Sequence, residues 1–112
     1  MSSDIILLKT KNNKENNLER IEDTLPIGPW ETVIAATSQV FPGIETGIHQ
    51  KDEEYFVEMT PEDGECESIQ ITLRSGDDWN NKSEKSFIQS LQNLCKSLGC
   101  MAFDGSDNKR IA

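Results

Sequence analysis

The sequence predicts an α+β fold: a two-layer sandwich in which two helices pack on one face of a mostly antiparallel sheet of four to five strands. Two observations support this prediction. Several short segments are apolar or alternate between apolar and polar residues, as strands do, and two longer segments carry apolar residues at helical spacing. The length of 112 residues is typical of one domain, which we assign to residues 1–112.

The strands are predicted from short runs of apolar residues. In SIQITLR, residues 68–74, every second residue is apolar, which is typical of an antiparallel strand with one buried and one wet face. EYFVEMT, residues 54–60, alternates in the same way, and residues 48–50 begin a further strand. DIILLK, residues 4–9, and CMAFD, residues 100–104, are short and nearly continuously apolar. They are expected to be strands close to the core.

The two helices are predicted from apolar residues three and four positions apart. The first lies within GPWETVIAATSQVFPG, where Pro29 suits a first helical turn and the Pro-Gly pair ends the helix. The second lies within SEKSFIQSLQNLCKSLG, with Ser83 as the expected N-cap and Gly99 as the C-terminal stop. The intervening segment at residues 9–17 is polar and is expected to be a loop.

Composition limits the classes of partner. Twenty acidic and eleven basic residues give a net charge of −9, which disfavours binding to nucleic acid and to anionic membranes and favours a basic protein partner. No apolar run approaches the roughly 18 residues of a membrane span, and the start of the chain lacks the features of a signal peptide. Three cysteines, an odd number, suit a reducing compartment. The sequence therefore predicts a cytoplasmic protein.

The sequence offers little catalytic or metal-binding chemistry. His49 is the one histidine, and neither a G-x-S-x-G nucleophile motif nor a glycine-rich phosphate loop is present. PEDGECE is rich in oxygen ligands but lacks the pattern of an EF-hand loop. Cys95 and Cys100 are expected to be buried structural thiols, and Cys66, among glutamates, is expected to be exposed. We therefore predict a non-enzymatic protein without a cofactor or a metal.

The most unusual feature is an acidic segment from Glu45 to Glu67. It holds nine acidic residues and one basic residue, Lys51, and so carries a net charge of −8. Such a segment can be a solvated surface that serves solubility, or a surface that docks a basic partner. The second interpretation extends the surface to the acidic and aromatic stretch after residue 74, with a tryptophan as a candidate anchor. The candidate partner-binding residues are Asp52, Glu53, Glu54, Glu58, Glu62, Asp63, Glu65, Glu67, Asp77, Asp78 and Trp79.

Several segments together resemble a family of small bacterial proteins of unknown function. DIILLK, LPIG, VFPGIE, SIQITLRSGDD and LCKSLGCMAFD are similar to that family's pattern of D-I-x-L, P-L-G, F-P-G-I, a strand ending in R-G-G, and G-W-x-x-x-D. The chain departs from the pattern at TGIHQKDEE and RSGDDWNN, and Cys100 stands where tryptophan is usual. The resemblance implies a single compact α+β domain and carries no activity with it.

Three hypotheses of function follow. The first is an immunity- or antitoxin-type inhibitor that docks a basic protein, such as a bacterial nuclease toxin, through the acidic residues. The second is a domain that binds a small ligand or a divalent metal in a pocket near His49 and Asp77, with at most a minor enzymatic role. The third is a housekeeping interaction domain whose acidity serves solubility alone.

Overall fold

The computed structural model describes residues 2–61 and 64–112 and confirms the predicted α+β fold. Both helices lie on one face of a five-stranded antiparallel sheet, and a second sheet of two short strands lies beside it. In chain order the elements are β1 (Ser2–Leu8), β2 (Gly28–Pro29), α1 (Trp30–Val40), β3 (Ile48–Lys51), β4 (Tyr55–Met59), β5 (Glu65–Cys66), β6 (Ser68–Ser75), α2 (Asn81–Leu98) and β7 (Met101–Asp104).

The five-stranded sheet has the order β3-β4-β6-β1-β7, and each neighbouring pair is antiparallel. The first strand of the chain therefore lies inside the sheet, between β6 and β7. Its register pairs Ile5 with Ile71 on one side and Leu7 with Ala102 on the other. The small sheet pairs β2 with β5.

The core lies between the helices and the facing side of the sheet. The predicted alternation is confirmed, because Ile69 and Ile71 are buried on this side, and Leu73 is half-buried against the core. One core residue of α1, Thr37, is polar. Its hydroxyl donates to the Val33 carbonyl oxygen at 2.7 Å, so the buried hydroxyl has a hydrogen-bond partner. The other large core side chains include Ile5, Leu7, Phe41, Tyr55, Val57, Phe87, Leu91 and Leu94.

The N-cap of the second helix lies three residues before the predicted one. Asn80 is the N-cap, since its side chain accepts from the backbone N–H groups of Lys82 and Ser83, at 2.8 Å and 3.2 Å. The Ser83 hydroxyl in turn accepts from the Asn80 backbone N–H at 3.3 Å, which completes a capping box. The prediction of Ser83 as the cap was wrong because both residue types suit the position, and Asn80 occupies it. The predicted stop at Gly99 is confirmed.

The segment after β1 is irregular, as predicted, and hydrogen-bonds to the turn that follows β7. The Leu18 backbone N–H donates to the Asn108 carbonyl oxygen at 2.8 Å, and the Arg110 N–H donates to the Asn16 carbonyl oxygen at 3.0 Å. Met101 and Phe103 are fully buried but lie outside the main core, because successive strand side chains point to opposite faces. The sheet is therefore covered on its second face at β7.

The prediction that Cys66 is exposed was wrong. Cys66 is fully buried in β5, and its carbonyl oxygen accepts from the Ile27 backbone N–H at 2.8 Å. Its acidic neighbours, Glu65 and Glu67, are exposed because alternate strand residues face opposite ways. Within residues 2–61 and 64–112, no helix has both the length and the apolar character that a membrane crossing requires.

Candidate functional site

Two loops that are distant in sequence are joined by backbone hydrogen bonds at one end of the sheet. The first is the turn between β3 and β4, and the second leads from β6 to α2. The Gly76 N–H donates to the Glu54 carbonyl oxygen and the Asp78 N–H to the Glu53 carbonyl oxygen, each at 2.9 Å. The second loop closes on itself through a 3.2 Å bond from the Trp79 N–H to the Gly76 carbonyl oxygen. The backbone thus holds the two loops in one arrangement.

Gly76 makes this close approach possible. A Cβ atom at this position would lie 2.1 Å from the carbonyl oxygen of Glu53 and 2.8 Å from its carbonyl carbon. Both atoms belong to the backbone and cannot move aside as the end of a long side chain can. A glycine is therefore required wherever these two loops meet in this way.

The joined loops present four exposed carboxylates, which we call the turn-end surface: Asp52, Glu53, Asp77 and Asp78. In the part of the chain that the structure describes, none of the four forms an ion pair within 4.0 Å. The nearest lysine in sequence, Lys51, is directed at α2, where its ammonium donates to the Ser86 hydroxyl at 2.7 Å. The negative charge of the surface is thus not neutralised by a direct partner.

Glu54 belongs to the same turn but has a structural role. It is half-buried, and its Oε1 accepts from the hydroxyl of Ser83 at 2.7 Å. Ser83 is fully buried, so this bond ties the β3–β4 turn to the first turn of α2. The neighbouring Tyr55 is also enclosed: burial raises its pKa, although a hydrogen bond with Ser86 opposes the effect. Glu54 is therefore not available to a partner in the way the turn-end surface is.

Trp79 lies between the core and a surface cavity. Its ring meets Tyr55 edge-on, with centroids 5.8 Å apart and an angle of 82°, and the side chain is half-buried. The same residue lines a cavity of about 290 Å³ between α2 and the sheet, together with Phe87 and Ile88. Trp79 is thus held by the core on one side and borders open space on the other.

The cavity beside Trp79 has both apolar and acidic walls. Glu84 of α2 and Asp104 at the end of β7 contribute carboxylates to its lining. Hydrogen bonds from the Ser106 hydroxyl, at 2.7 Å, and from the Ser106 backbone N–H, at 2.8 Å, lower the pKa of Asp104. Asp104 is therefore charged at neutral pH, and the cavity suits a group with an apolar stem and a positive end.

The remaining acidic candidates lie elsewhere. Glu58 is on the open face of the sheet, where it pairs with Arg74 at 3.2 Å. Glu65 and Glu67 are exposed near the start of β6, at the end of the sheet opposite to the turn-end surface. Glu62 and Asp63 lie outside the described residues. The acidic segment is therefore divided among separate surfaces, and only part of it joins the loop after β6.

His49 is engaged on the helix side of β3. Its Nδ1 donates to the Pro42 carbonyl oxygen at 2.7 Å, and its ring packs near Phe41 and Tyr55, with centroids 5.5 Å and 6.2 Å away. Across residues 2–61 and 64–112, no group of three or more His, Cys, Asp or Glu side chains is placed to hold a metal ion. The structure gives no support to a metal site near His49 and Asp77.

No protein-family model matches this chain, and a search of curated proteins finds no match either. The resemblance to small bacterial proteins accordingly stays a prediction. The features left to suggest a function are the turn-end surface and the cavity beside it.

Proposed function

We propose that this chain is a non-enzymatic binding protein that docks a basic protein partner through the turn-end surface. The observation that carries the proposal is the joining of two distant loops, which places Asp52, Glu53, Asp77 and Asp78 at one end of the sheet with no ion-paired cation among the described residues. Holding like charges together costs electrostatic free energy. A cationic partner removes that cost when it binds.

The local charge favours fast association with such a partner. The two loops carry five carboxylates, those of the turn-end surface and Glu54, against the single ammonium of Lys51, for a net charge of −4. A concentrated negative field accelerates encounter with a positive surface and orients it before contact. Because the loops are fixed by backbone hydrogen bonds, little conformational entropy is lost on binding.

The cavity beside Trp79 supplies a second point of attachment. An arginine or lysine of the partner could lay its aliphatic stem against Trp79 and Phe87 and bring its charge to Glu84 or Asp104. Buried aromatic residues next to a charged rim are typical of the residues that dominate binding free energy at protein interfaces. The two features together favour a folded basic protein over a diffuse polycation.

The class of partner that best fits is a nucleic-acid-binding enzyme. Such an enzyme presents a basic surface that grips phosphates, and a row of fixed carboxylates can occupy that surface in their place. The proposal is therefore an immunity- or antitoxin-type inhibitor of a basic protein such as a nuclease toxin. This role requires no catalytic residue in the chain itself.

A charge-reversal experiment tests the docking surface. The immobilised chain is used to capture proteins from the cells that produce it, and the captured proteins are identified by mass spectrometry. We expect wild-type protein to capture a basic protein, and the quadruple variant with lysine at Asp52, Glu53, Asp77 and Asp78 to lose it. The purified partner should then associate with wild type more slowly as salt rises, with a drop of about tenfold or more between low and physiological ionic strength.

The matched control reverses four exposed acidic residues away from the surface, Glu31, Glu45, Glu65 and Glu67, and has the same net charge as the quadruple variant. It should retain most of the capture. Equal loss in both variants would show that only total charge matters. Capture that survives the quadruple variant, or the absence of any basic protein captured by wild type, would reject the proposal.

A further inference from the structure

The two cysteines at the C-terminal end of α2 are placed side by side by the helix stop. Gly99 adopts the left-handed conformation, with φ 65° and ψ 38°, and turns the chain back towards the sheet. The Cys100 backbone N–H then donates to the Cys95 carbonyl oxygen at 3.0 Å. In this type of helix stop the side chains of the two bonded residues commonly touch. Here the residues in contact are both cysteines.

The two thiols interact with each other, and the interaction shifts their pKa values in opposite directions. Interaction with the Cys100 thiol lowers the pKa of Cys95; burial opposes this, and the charge of Arg110 adds to it. Interaction with Cys95, together with burial, raises the pKa of Cys100, and the charge of Lys9 opposes this. Cys95 is thus the sulfur on which negative charge is better stabilised.

Both sulfur-bearing residues line a surface cavity of about 320 Å³. Its walls include the cationic residues Lys96 and Arg110, the amide side chain of Asn13, and Ala112, whose oxygen accepts from Arg110 at 2.9 Å. Among the residues that the structure describes, no aspartate or glutamate side chain lines it. Each cysteine is only 5% exposed, so access to the sulfurs is through this cavity. A small anionic thiol compound matches the charge of these walls.

We propose that Cys95 and Cys100 form a redox-active dithiol that small-molecule disulfides, such as oxidised glutathione, convert to an intramolecular disulfide. The backbone contact brings the two residues into the close range that a disulfide needs. The proposal is independent of the turn-end surface, which adjoins the opposite end of α2.

The reaction proceeds in two exchange steps. The Cys95 thiolate attacks one sulfur of oxidised glutathione, a bond forms between protein and glutathione, and the other glutathione leaves as a thiolate. Cys100 then gives up its proton and attacks the Cys95 sulfur, which expels the second glutathione thiolate. The two protons of the protein thiols end on the two glutathione thiolates. Two protein thiols are oxidised, and one glutathione disulfide is reduced.

Cys66 provides an internal comparison. It is fully buried in β5, whereas Cys95 and Cys100 reach the cavity at the end of α2. Exchange with a small disulfide requires access to the attacking sulfur, so Cys66 is expected to stay reduced in the folded protein. The variant Cys66→Ala should therefore form the same disulfide as wild type.

Peptide mapping tests the proposal directly. Native protein is equilibrated with mixtures of reduced and oxidised glutathione, remaining thiols are alkylated, and the chain is cut with trypsin. Lys96 lies between the two cysteines, so cleavage after it places them on separate peptides, residues 86–96 and 97–109. We expect these peptides to become joined, with loss of two hydrogen atoms from the intact mass, while Cys66 stays alkylated. Circular dichroism confirms that the protein is folded during the reaction.

Single variants test the order of the steps. Cys100→Ser lacks the second thiol and should accumulate a glutathione adduct at Cys95, because no neighbouring thiol is left to expel the glutathione. Folded wild type that never joins the two peptides, even with oxidised glutathione alone, would overturn the proposal. So would a disulfide that forms through Cys66. A Cys100→Ser variant that forms no glutathione adduct at Cys95 would reject Cys95 as the attacking sulfur.

Discussion

The two ends of α2 carry opposite charge, and the charges are used differently. Before the N-terminal end, the carboxylates of the turn-end surface are exposed and make no ion pair among the described residues. At the C-terminal end, the Arg110 guanidinium donates to the Asn13 carbonyl oxygen at 2.8 Å and to the Ala112 carbonyl oxygen at 2.9 Å. Both signs match the helix macrodipole, which favours acids at the N-terminus and bases at the C-terminus.

The difference separates charges that build the fold from charges that are free to bind. Arg110 fixes the return of the chain after β7 through directed hydrogen bonds. At the N-terminal end of α2, the hydrogen bonds of Glu54, Ser83 and the backbone around Gly76 stabilise the fold. The four carboxylates of the turn-end surface remain exposed to solvent or to a partner. Local contacts, more than local charge, distinguish the acidic residues that stabilise the fold from those that are exposed without a direct partner.

The largest loss of stability is expected from Gly76→Ala, because Gly76 lies where the two loops are in backbone contact. The new Cβ would overlap the Glu53 carbonyl oxygen, at 2.1 Å, so one backbone has to move. We expect a loss of roughly 2 to 4 kcal/mol in the free energy of unfolding, measured by urea denaturation. Gly105→Ala is the matched control, because its Cβ would lie 3.1 Å from the Asp4 carbonyl oxygen. A cost no greater than that of the control would show that the loops are not tightly joined.

Ser83→Ala is expected to have an intermediate effect. The substitution removes the hydroxyl that donates to Glu54 and accepts from the Asn80 N–H, and it leaves a half-buried carboxylate without this partner. We expect a loss of about 2 kcal/mol in the free energy of unfolding. A double-mutant cycle with Glu54→Gln should show that the two effects are coupled. Ser97→Ala, an exposed serine of the same helix, should change stability by less than about 0.5 kcal/mol.

The smallest changes in the free energy of unfolding are expected from substitutions of charged residues at the two ends of α2. Arg110→Ala removes two hydrogen bonds to backbone carbonyls and should cost about 1 kcal/mol in the free energy of unfolding. The double variant Asp52→Asn, Glu53→Gln removes two charges but no side-chain hydrogen bond, so its effect should stay within about 0.5 kcal/mol. Both are measured by urea denaturation. A larger loss in the free energy of unfolding for the double variant than for Arg110→Ala would contradict the conclusion that Arg110 stabilises the fold and that Asp52 and Glu53 do not.

Much of the fold could be predicted from the sequence because it depends on local patterns. The alternation that buries Ile69 and Ile71 follows from the two-residue period of a strand. The end of α2 at Gly99 follows from the left-handed conformation that glycine adopts at low cost. Local pattern does not distinguish the two candidate starts of α2, because Asn80 and Ser83 are both good caps and the capping box uses both.

The candidate site could be predicted only in part because it depends on long-range contacts. Composition alone makes Asp52, Glu53, Asp77 and Asp78 candidates, but their position at one end of the sheet depends on the antiparallel pairing of β4 with β6. Charge alone does not distinguish Glu54 from the exposed acidic residues beside it. Its structural role depends on the hydrogen bond from Ser83, which lies 29 positions later in the chain. The burial of Cys66 was missed for a similar reason, since its partner strand β2 lies far earlier in the chain.

The position of β1 inside the sheet bears on how the chain folds during synthesis. Residues of β1 pair with β6 and then with β7, so Ile5 has a neighbour at Ile71 and another at Asp104. When β1 leaves the ribosome, neither β6 nor β7 has been synthesised. The apolar residues of β1 therefore cannot yet pair with these strands. Such long separations slow folding because a large loop must close before the contact forms. This part of the sheet therefore forms only after β6 and β7 have been translated.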